Sequence, residues 1–262
     1  MSQQIKEQYA SSKNLEARMS IYQYSVDGKP FSKWVAEQIT PVKHVKILEL
    51  GCGTGNLWKD LKDLFQNSTI ILSDFSAGML KKAQENLGKN AFNYELIDFH
   101  QIPYPDKTFD VIISNHNLYF ASDLNKVLAE ISRVMKDDGV FYSTTSSTEN
   151  MASLRGLIGI ADDAIWPNIV VVSAFGAETG IAILSQYFQY TERRFNQNEL
   201  RITEITPVIN YFMSVRDERV HQIVMKSMDT IQDKFDAQIS QYGYFKVLSK
   251  GCLFICKKQL TQ

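Results

Sequence analysis

The sequence predicts an α/β fold, a doubly wound parallel sheet with helices on both of its faces. Short apolar runs alternate with helical patterns from Val45 to about Thr145. The runs are rich in Ile, Val, Leu and Phe and show little polar alternation, which is typical of strands buried on both faces. Alternation of strands and helices over this span predicts parallel strands joined by crossover helices.

Each element follows from a local pattern. The segments predicted as strands are VKILEL, TIILSD, FNYELID, FDVIIS and GVFYSTT. Helices are expected near 55–66, 76–88 and 122–136. In the last of these, Ser122 is the expected N-cap, and apolar residues recur at helical spacing before Gly139.

The flanking segments have weaker patterns. The stretch 190–203 is expected to be extended, and 215–240 reads as one long helix. The stretch 244–258 is expected to form a terminal strand pair or one long bent strand. We therefore divide the chain of 262 residues into a helical lid, a sheet core and a cap or insertion that holds some core elements. Their bounds are 1–40 for the lid, 41–149 with 241–262 for the core, and 150–240 for the cap.

Composition excludes several classes of partner. A formal net charge of −1, without a long run of Lys or Arg, gives no electrostatic basis for binding nucleic acid or an anionic membrane. The three cysteines form no framework, because Cys252 and Cys256 are roughly 13 Å apart along a strand. The N-terminus is polar and no uninterrupted apolar stretch could span a bilayer. We expect a cytoplasmic monomer or homodimer.

The stretch ILELGCGTGNLW contains a glycine turn between a strand and a helix. A phosphate-binding loop would end in Gly-Lys-Ser/Thr, but Asn56 and Leu57 follow Gly55 here. The dinucleotide fingerprint would require a glycine where Asn56 stands. Glu49, just before the turn, would repel a phosphate and suits a ligand with a positive group. S-adenosylmethionine is such a ligand, since it has an ammonium, a sulfonium and no phosphate.

Polar side chains also end the next strands. Asp74 lies about twenty residues past the glycines, where an acid can accept hydrogen bonds from both ribose hydroxyls. Asp98 could accept from the adenine amino group, with Phe99 stacking or packing nearby. Asn115 and His116 end the fourth strand, so these groups share the edge where open α/β sheets bind ligands.

The motifs ELGCGTGNLW, LSDFSAGML, LIDFHQIPYPDKTFDVIISNHNLYF and VLAEISRVMKDDGVFYST resemble those of class I S-adenosylmethionine-dependent methyltransferases, in the small-molecule, UbiE-like branch. The resemblance is strong over 45–145 and looser over the first forty residues. It implies a Rossmann-like sheet of seven strands whose last strand is antiparallel. It places the cofactor against Glu49, Gly51, Cys52, Gly53, Asn56, Leu57, Asp74, Phe75, Ser76, Met79, Asp98, Phe99 and Asn115.

The acceptor side is less defined. His116 and Tyr119 are candidates for a substrate contact or a base, and the alternative is that both are simply packed in the cleft. Trp166 is a candidate for lining the acceptor pocket. Tyr9 and Arg18 could close over the methionine end of the cofactor, but Arg18 is equally consistent with a solvated helix face. His100 is expected to be solvated.

The predicted activity is transfer of a methyl group to a small-molecule acceptor by in-line displacement. Such a reaction requires orientation and exclusion of water, and a base only where the acceptor must lose a proton. No metal site is expected. Two rivals stay open: an NAD-type oxidoreductase, which Glu49 and Asn56 disfavour, and a regulatory protein that binds the cofactor without transferring a group.

Overall fold

A seven-stranded sheet forms the centre of the protein. The computed structural model describes residues 17–159, 172–215 and 217–259. The strands are β1 (Lys46–Leu50), β2 (Thr69–Asp74), β3 (Asn93–Leu96), β4 (Phe109–Asn115), β5 (Met135–Ser146), β6 (Tyr190–Ile202) and β7 (Phe245–Lys257). Their order is β3-β2-β1-β4-β5-β7-β6, and only β7 runs antiparallel to its neighbours. The predicted fold class and its antiparallel last strand are confirmed.

Helices cover the sheet and extend beyond it. They are α1 (Phe31–Gln38), α2 (Trp58–Leu61), α3 (Ala77–Leu87), α4 (Leu124–Val134), α5 (Ala152–Ile158), α6 (Gly180–Leu184), α7 (Ile205–Met213), α8 (Glu218–Lys226) and α9 (Met228–Tyr242). Short 3-10 turns occupy Ser20–Tyr24, Lys62–Leu64 and Leu118–Phe120.

Three details of the predicted elements are wrong. Asp123, not Ser122, caps α4, because its side chain accepts a hydrogen bond from the Lys126 N–H. The helix expected near 55–66 is one α-turn followed by a 3-10 turn. The single long helix expected over 215–240 is broken at Ser227, which ends α8 and precedes α9.

Strand residues alternate between two apolar layers. Leu48 of β1 and Ile112 of β4 pack with α4 on one face. Ile47 and Val111 pack on the other face, with α1, α2 and α3. Both faces are therefore covered, which explains why the strands read as continuous apolar runs.

A third apolar cluster lies at the protruding end of the antiparallel strand pair formed by β6 and β7. β5 pairs with β7 only as far as Ser146, which lies opposite Gly251. Beyond this point β6 and β7 continue as a pair, from Gln197↔Lys250 to Ile202↔Phe245. At about 3.3 Å per residue the strand pair β6–β7 extends roughly 20 Å past the carboxyl end of β5. Its apolar residues pack with Ile21 and with side chains of α5, α7, α8 and α9. We call this cluster and its helices the cap.

The described part of the N-terminal segment contacts both layers. Its 3-10 turn packs in the cap through Ile21, and Ser25 bridges to Leu200 of β6. By contrast, α1 packs on the sheet through Val35 and Ala36. Among the described residues, no helix is long and apolar enough to cross a membrane.

Candidate active site

The glycine turn lies at the carboxyl edge of the sheet, between β1 and α2. Gly51 and Gly53 have φ values of 72° and 55°, a region that side chains with a Cβ rarely adopt. The Cys52 N–H donates to the Ser73 carbonyl at 2.8 Å and holds the turn against β2. The turn therefore presents backbone, with little side chain, at the predicted binding edge.

Asn117, in the loop that follows β4, fixes this turn. Its amide nitrogen donates to the Leu50 carbonyl, and its amide oxygen accepts from the Ser114 hydroxyl. A Cβ on Gly51 would collide with the same amide. Asn117 was not among the predicted site residues, because its role depends on a contact between two elements that are distant in sequence.

Glu49 is a buried carboxylate clamped from two sides. Its Oε2 accepts from Trp58 Nε1 at 2.6 Å, and its Oε1 accepts from Asn115 Nδ2 at 3.1 Å. Asn115 Oδ1 in turn accepts from the Thr144 hydroxyl at 3.1 Å. Burial, reinforced by the charge of Asp74, raises the pKa of Glu49 to about 7. The structure thus joins two predicted residues, Glu49 and Asn115, and adds Trp58 and Thr144.

Asp74 ends β2 and binds the backbone of two turns. Its carboxylate accepts from the Gly53 N–H at 2.9 Å and from the Ser76 N–H at 2.8 Å. Burial raises the pKa of Asp74, while these backbone donors oppose the shift. The Ser76 hydroxyl accepts from the Met79 N–H at 3.3 Å and caps α3. Asp74 is therefore oriented before any ligand arrives.

The charge at this edge favours a cationic ligand. Glu49 is 2% exposed and Asp74 is 5% exposed. In the part of the chain that the structure describes, neither carboxylate pairs with a Lys or Arg. Two nearby buried acids would repel a phosphate and would be stabilised by a positive group. The residues present therefore fit the ammonium and sulfonium of S-adenosylmethionine.

Asp98 and Phe99 lie beside Asp74, just past β3. The Ile97 N–H donates to the Asp74 carbonyl at 3.1 Å and aligns the two strand ends. The Phe99 ring is buried in the sheet core, whereas Asp98 is exposed. The expectation that His100 is solvated is wrong, because its side chain is only 11% exposed and bonds to Asp98 and Ser122.

His116 follows β4 in a left-handed conformation, with φ of 50°. Its N–H donates to the Thr144 carbonyl at 3.1 Å, and its ring centroid lies 5.1 Å from that of Phe31. Burial lowers the pKa of His116 to about 4, and its ring nitrogens bond to none of the described residues. Tyr119 lies in the next turn and packs against the sheet core.

The remaining predicted residues occupy varied places. Asn56 is exposed, Phe75 is half-buried, and Cys52, Leu57 and Met79 are buried. Arg18 donates to Ser214 in the cap, to its hydroxyl at 3.4 Å and its carbonyl at 3.1 Å. Tyr9 and Trp166 lie outside the described residues.

Comparison with known proteins identifies the central region. The family model described as "Methyltransferase domain" matches residues 48–143, which contain the glycine turn, Asp74, Asp98 and Asn115. Residues 48–143 are a methyltransferase domain. The predicted resemblance to methyltransferases is confirmed over this region.

Curated relatives share the methyltransferase domain. The chain is 33% identical over 101 residues to a malonyl-[acyl-carrier protein] O-methyltransferase of Geobacter sulfurreducens, covering 38% of each chain. It is 28% identical over 108 residues to the ubiquinone/menaquinone biosynthesis C-methyltransferase UbiE of Desulfotalea psychrophila, covering 40% of this chain and 44% of that one. The chain thus spans less than half the length of these relatives.

Similarity of fold extends beyond the methyltransferase domain. The crystal structure of the YcgJ protein from Bacillus subtilis matches with a TM-score of 0.57 at 18% identity, over 87% of this chain and 99% of that chain. The fold of the sheet and of most of its flanking segments is therefore similar to that of a protein of known structure.

Proposed function

We propose that this chain binds S-adenosylmethionine at the carboxyl edge of its sheet and transfers the methyl group to a small-molecule acceptor. The observation that carries the proposal is the pair of buried carboxylates, Glu49 and Asp74, held beside a glycine turn without a cationic partner among the described residues. The methyltransferase domain supports the same assignment.

The protein's own groups would bind and orient the cofactor. Glu49 would accept hydrogen bonds from the ammonium, Asp74 from the ribose hydroxyls, and Asp98 from the adenine amino group. Bound S-adenosylmethionine supplies an activated methyl group, so the chain's task is to hold the acceptor in line and exclude water. The pre-formed bonds at Glu49 and Asp74 reduce the ordering cost of binding.

His116 is our candidate for contact with the acceptor. It lies at the end of β4, and its neutral imidazole has free hydrogen-bonding capacity among the described residues. An imidazole with a pKa near 4 is uncharged at pH 7 and can accept a hydrogen bond, although it is a weak base. Tyr119 lies in the following turn and is the second candidate.

The names of the relatives suggest two kinds of acceptor atom. One is called an O-methyltransferase of a malonyl group and the other a C-methyltransferase. A carboxylate oxygen is already a nucleophile, whereas a carbon or hydroxyl acceptor must lose a proton. A malonyl thioester is therefore the first acceptor to assay, and His116→Gln separates the two chemistries. Unchanged turnover would favour a carboxylate, and a large loss would favour an acceptor that is deprotonated.

The cytoplasmic location belongs to the same proposal. The three cysteines, Cys52, Cys252 and Cys256, are buried free thiols. Free thiols are typical of proteins in a reducing compartment.

Calorimetry with S-adenosylhomocysteine, S-adenosylmethionine and NADH tests the cofactor assignment. We expect micromolar binding of the first two ligands and none of NADH. Binding of NADH alone would establish the oxidoreductase alternative. Binding of S-adenosylmethionine with no release of S-adenosylhomocysteine from a metabolite pool would favour the regulatory alternative.

A further inference from the structure

Three side chains form a hydrogen-bonded chain beside the proposed adenine site. His100 Nδ1 lies 2.6 Å from Asp98 Oδ1, and His100 Nε2 lies 3.0 Å from the Ser122 hydroxyl. Asp98 follows β3, while Ser122 belongs to the turn that leads from β4 into α4. The imidazole therefore connects the adenine side of the edge with the loop on the acceptor side.

The chain leaves one oxygen of Asp98 available. Oδ1 accepts from both the His100 N–H, at 3.0 Å, and His100 Nδ1. Within the described residues, Oδ2 accepts no hydrogen bond. The side chain of Asp98 is 57% exposed, but that of His100 is only 11% exposed. The histidine thus holds the carboxylate through Oδ1, while more than half of the Asp98 side chain stays exposed.

Ser122 completes the orientation of the imidazole. When Nδ1–H donates to Asp98, Nε2 of a neutral ring is an acceptor, which the Ser122 hydroxyl satisfies. The ring also packs edge-on against Phe99, with centroids 4.9 Å apart. Although partial burial opposes the shift, the two His100 donors hold the pKa of Asp98 below its usual range.

We propose that His100, supported by Ser122, is a positioning residue that fixes Asp98 for recognition of the adenine amino group. An exposed aspartate samples several rotamers, and a ligand must otherwise oppose that freedom on binding. With Oδ1 occupied twice, Oδ2 is the acceptor left for a donor on the base. This inference rests on the proposed function, since it assumes that the bound nucleoside is adenosine.

Two substitutions at His100 separate the hydrogen bond from the packing. His100→Ala removes both contacts of the ring. His100→Asn retains an amide donor at the position of Nδ1 but cannot reach Ser122. His44→Asn is the matched control, because His44 is exposed and its φ of 59° is a conformation that asparagine tolerates.

The measurement is calorimetric binding of S-adenosylhomocysteine and of its inosine analogue, in which an oxo group replaces the adenine amino group. We expect His100→Ala to weaken S-adenosylhomocysteine binding about 3–10-fold, which is the worth of one hydrogen bond. The same variant should bind the analogue as the parent does, so that discrimination between the two ligands falls. His100→Asn should restore most of the affinity, Ser122→Ala should weaken binding less than His100→Ala, and His44→Asn should match the parent.

Specific outcomes overturn the inference. Equal discrimination by the parent and His100→Ala would show that His100 does not position Asp98. Equal weakness of His100→Asn and His100→Ala would assign the effect to packing on Phe99. Either result leaves the proposed function intact, whereas failure of the parent to bind S-adenosylhomocysteine would refute the proposed function itself.

Discussion

At the residue scale, Glu49 combines burial, a negative charge and two neutral hydrogen-bond donors. Trp58 and Asn115 hold both of its oxygens, yet neither donor carries a charge to offset the carboxylate. Its pKa of about 7 means that a large fraction of the ligand-free protein carries a proton there at neutral pH. A cationic ligand would lower that pKa and release the proton.

This coupling predicts a pH-dependent affinity. Binding of S-adenosylhomocysteine should strengthen from pH 6 to pH 8 as Glu49 ionises, and calorimetry in buffers of different ionisation enthalpy should detect proton release near pH 7. Glu49→Gln should abolish both effects and cost about 1.5–3 kcal/mol at pH 8, the worth of a hydrogen bond to a charged group. A proton release unchanged in Glu49→Gln would show that another group is responsible.

The same group affects folding in the opposite direction. The folded protein binds more protons than the unfolded chain between the ordinary pKa of Glu49, 4.5, and about 7. The contribution of Glu49 to the free energy of unfolding should therefore fall as the pH rises through this window. Urea titrations of the ligand-free protein should show a shallower pH dependence for Glu49→Gln than for the parent.

Asp74 should contribute to both binding and stability. Asp74→Asn retains the size but only one acceptor oxygen, so its NH2 group would face one of the two backbone N–H donors. We expect it to weaken S-adenosylhomocysteine binding by about 1–2 kcal/mol and to lower the free energy of unfolding by about 1 kcal/mol. Asp74→Ala also leaves the N–H groups of Gly53 and Ser76 without their acceptor, and should lower the free energy of unfolding by about 1–3 kcal/mol. Asp233→Asn, at an exposed acid of α9, is the control for calorimetry and urea denaturation.

At the scale of elements, strands were more predictable than helix ends. Strands buried on both faces need continuous apolar runs, and that requirement is visible in the sequence. The N-cap residue of α4 could not be predicted, because Ser122 and Asp123 are adjacent and both residue types can cap a helix. In the structure Asp123 is the N-cap residue, and the Ser122 hydroxyl contacts His100 instead.

The candidate site residues followed the same rule. Glu49, Asp74 and Asp98 could be chosen from their places at strand ends, since parallel strands end at one edge. Asn117 and Trp58 could not, because each acts through a contact between elements that no local pattern encodes. Residues that complete a site through tertiary contacts thus require the structure.

The contact between the glycine turn after β1 and Asn117 after β4 can be tested by substituting Gly51. Gly51→Ala would face both a left-handed backbone and a collision with Asn117, and should destabilise the fold by about 2–4 kcal/mol. Gly28→Ala is the matched control: its φ is 62° but its Cβ would meet nothing, so it should cost only about 1 kcal/mol.

A double-mutant cycle isolates the collision. Asn117→Ala should be destabilising alone because it removes the bond to the Leu50 carbonyl, but it should relieve part of the cost of Gly51→Ala. Thermal denaturation of the four proteins measures this coupling. Strict additivity would mean that the turn shifts away from Asn117 instead of pressing on it.

At the scale of the whole molecule, the protein has two kinds of apolar core. The two layers on the sheet hold the methyltransferase domain together. The third cluster joins the protruding part of the strand pair β6–β7 to the cap helices. Because β5 ends before this strand pair does, the cap extends beyond the same edge that carries Glu49 and Asp74. That placement suits a cover for an acceptor, which has to enter and leave.

Matched valines test whether the cap opens separately from the sheet. Val224 in α8 and Val134 in α4 are both fully buried, the first in the cap cluster and the second in the sheet core. Each Val→Ala change should cost about 1–3 kcal/mol.

In hydrogen exchange, Val224→Ala should lower protection in α8 and α9 while β1 and β4 keep theirs, because locally stable units open with their own free energies. Its affinity for S-adenosylhomocysteine should stay within about twofold, while turnover of the true acceptor should fall. Val134→Ala should instead lower protection across the sheet. Equal loss of protection in sheet and cap for both variants would show one cooperative unit, and the cap could then open only with the sheet.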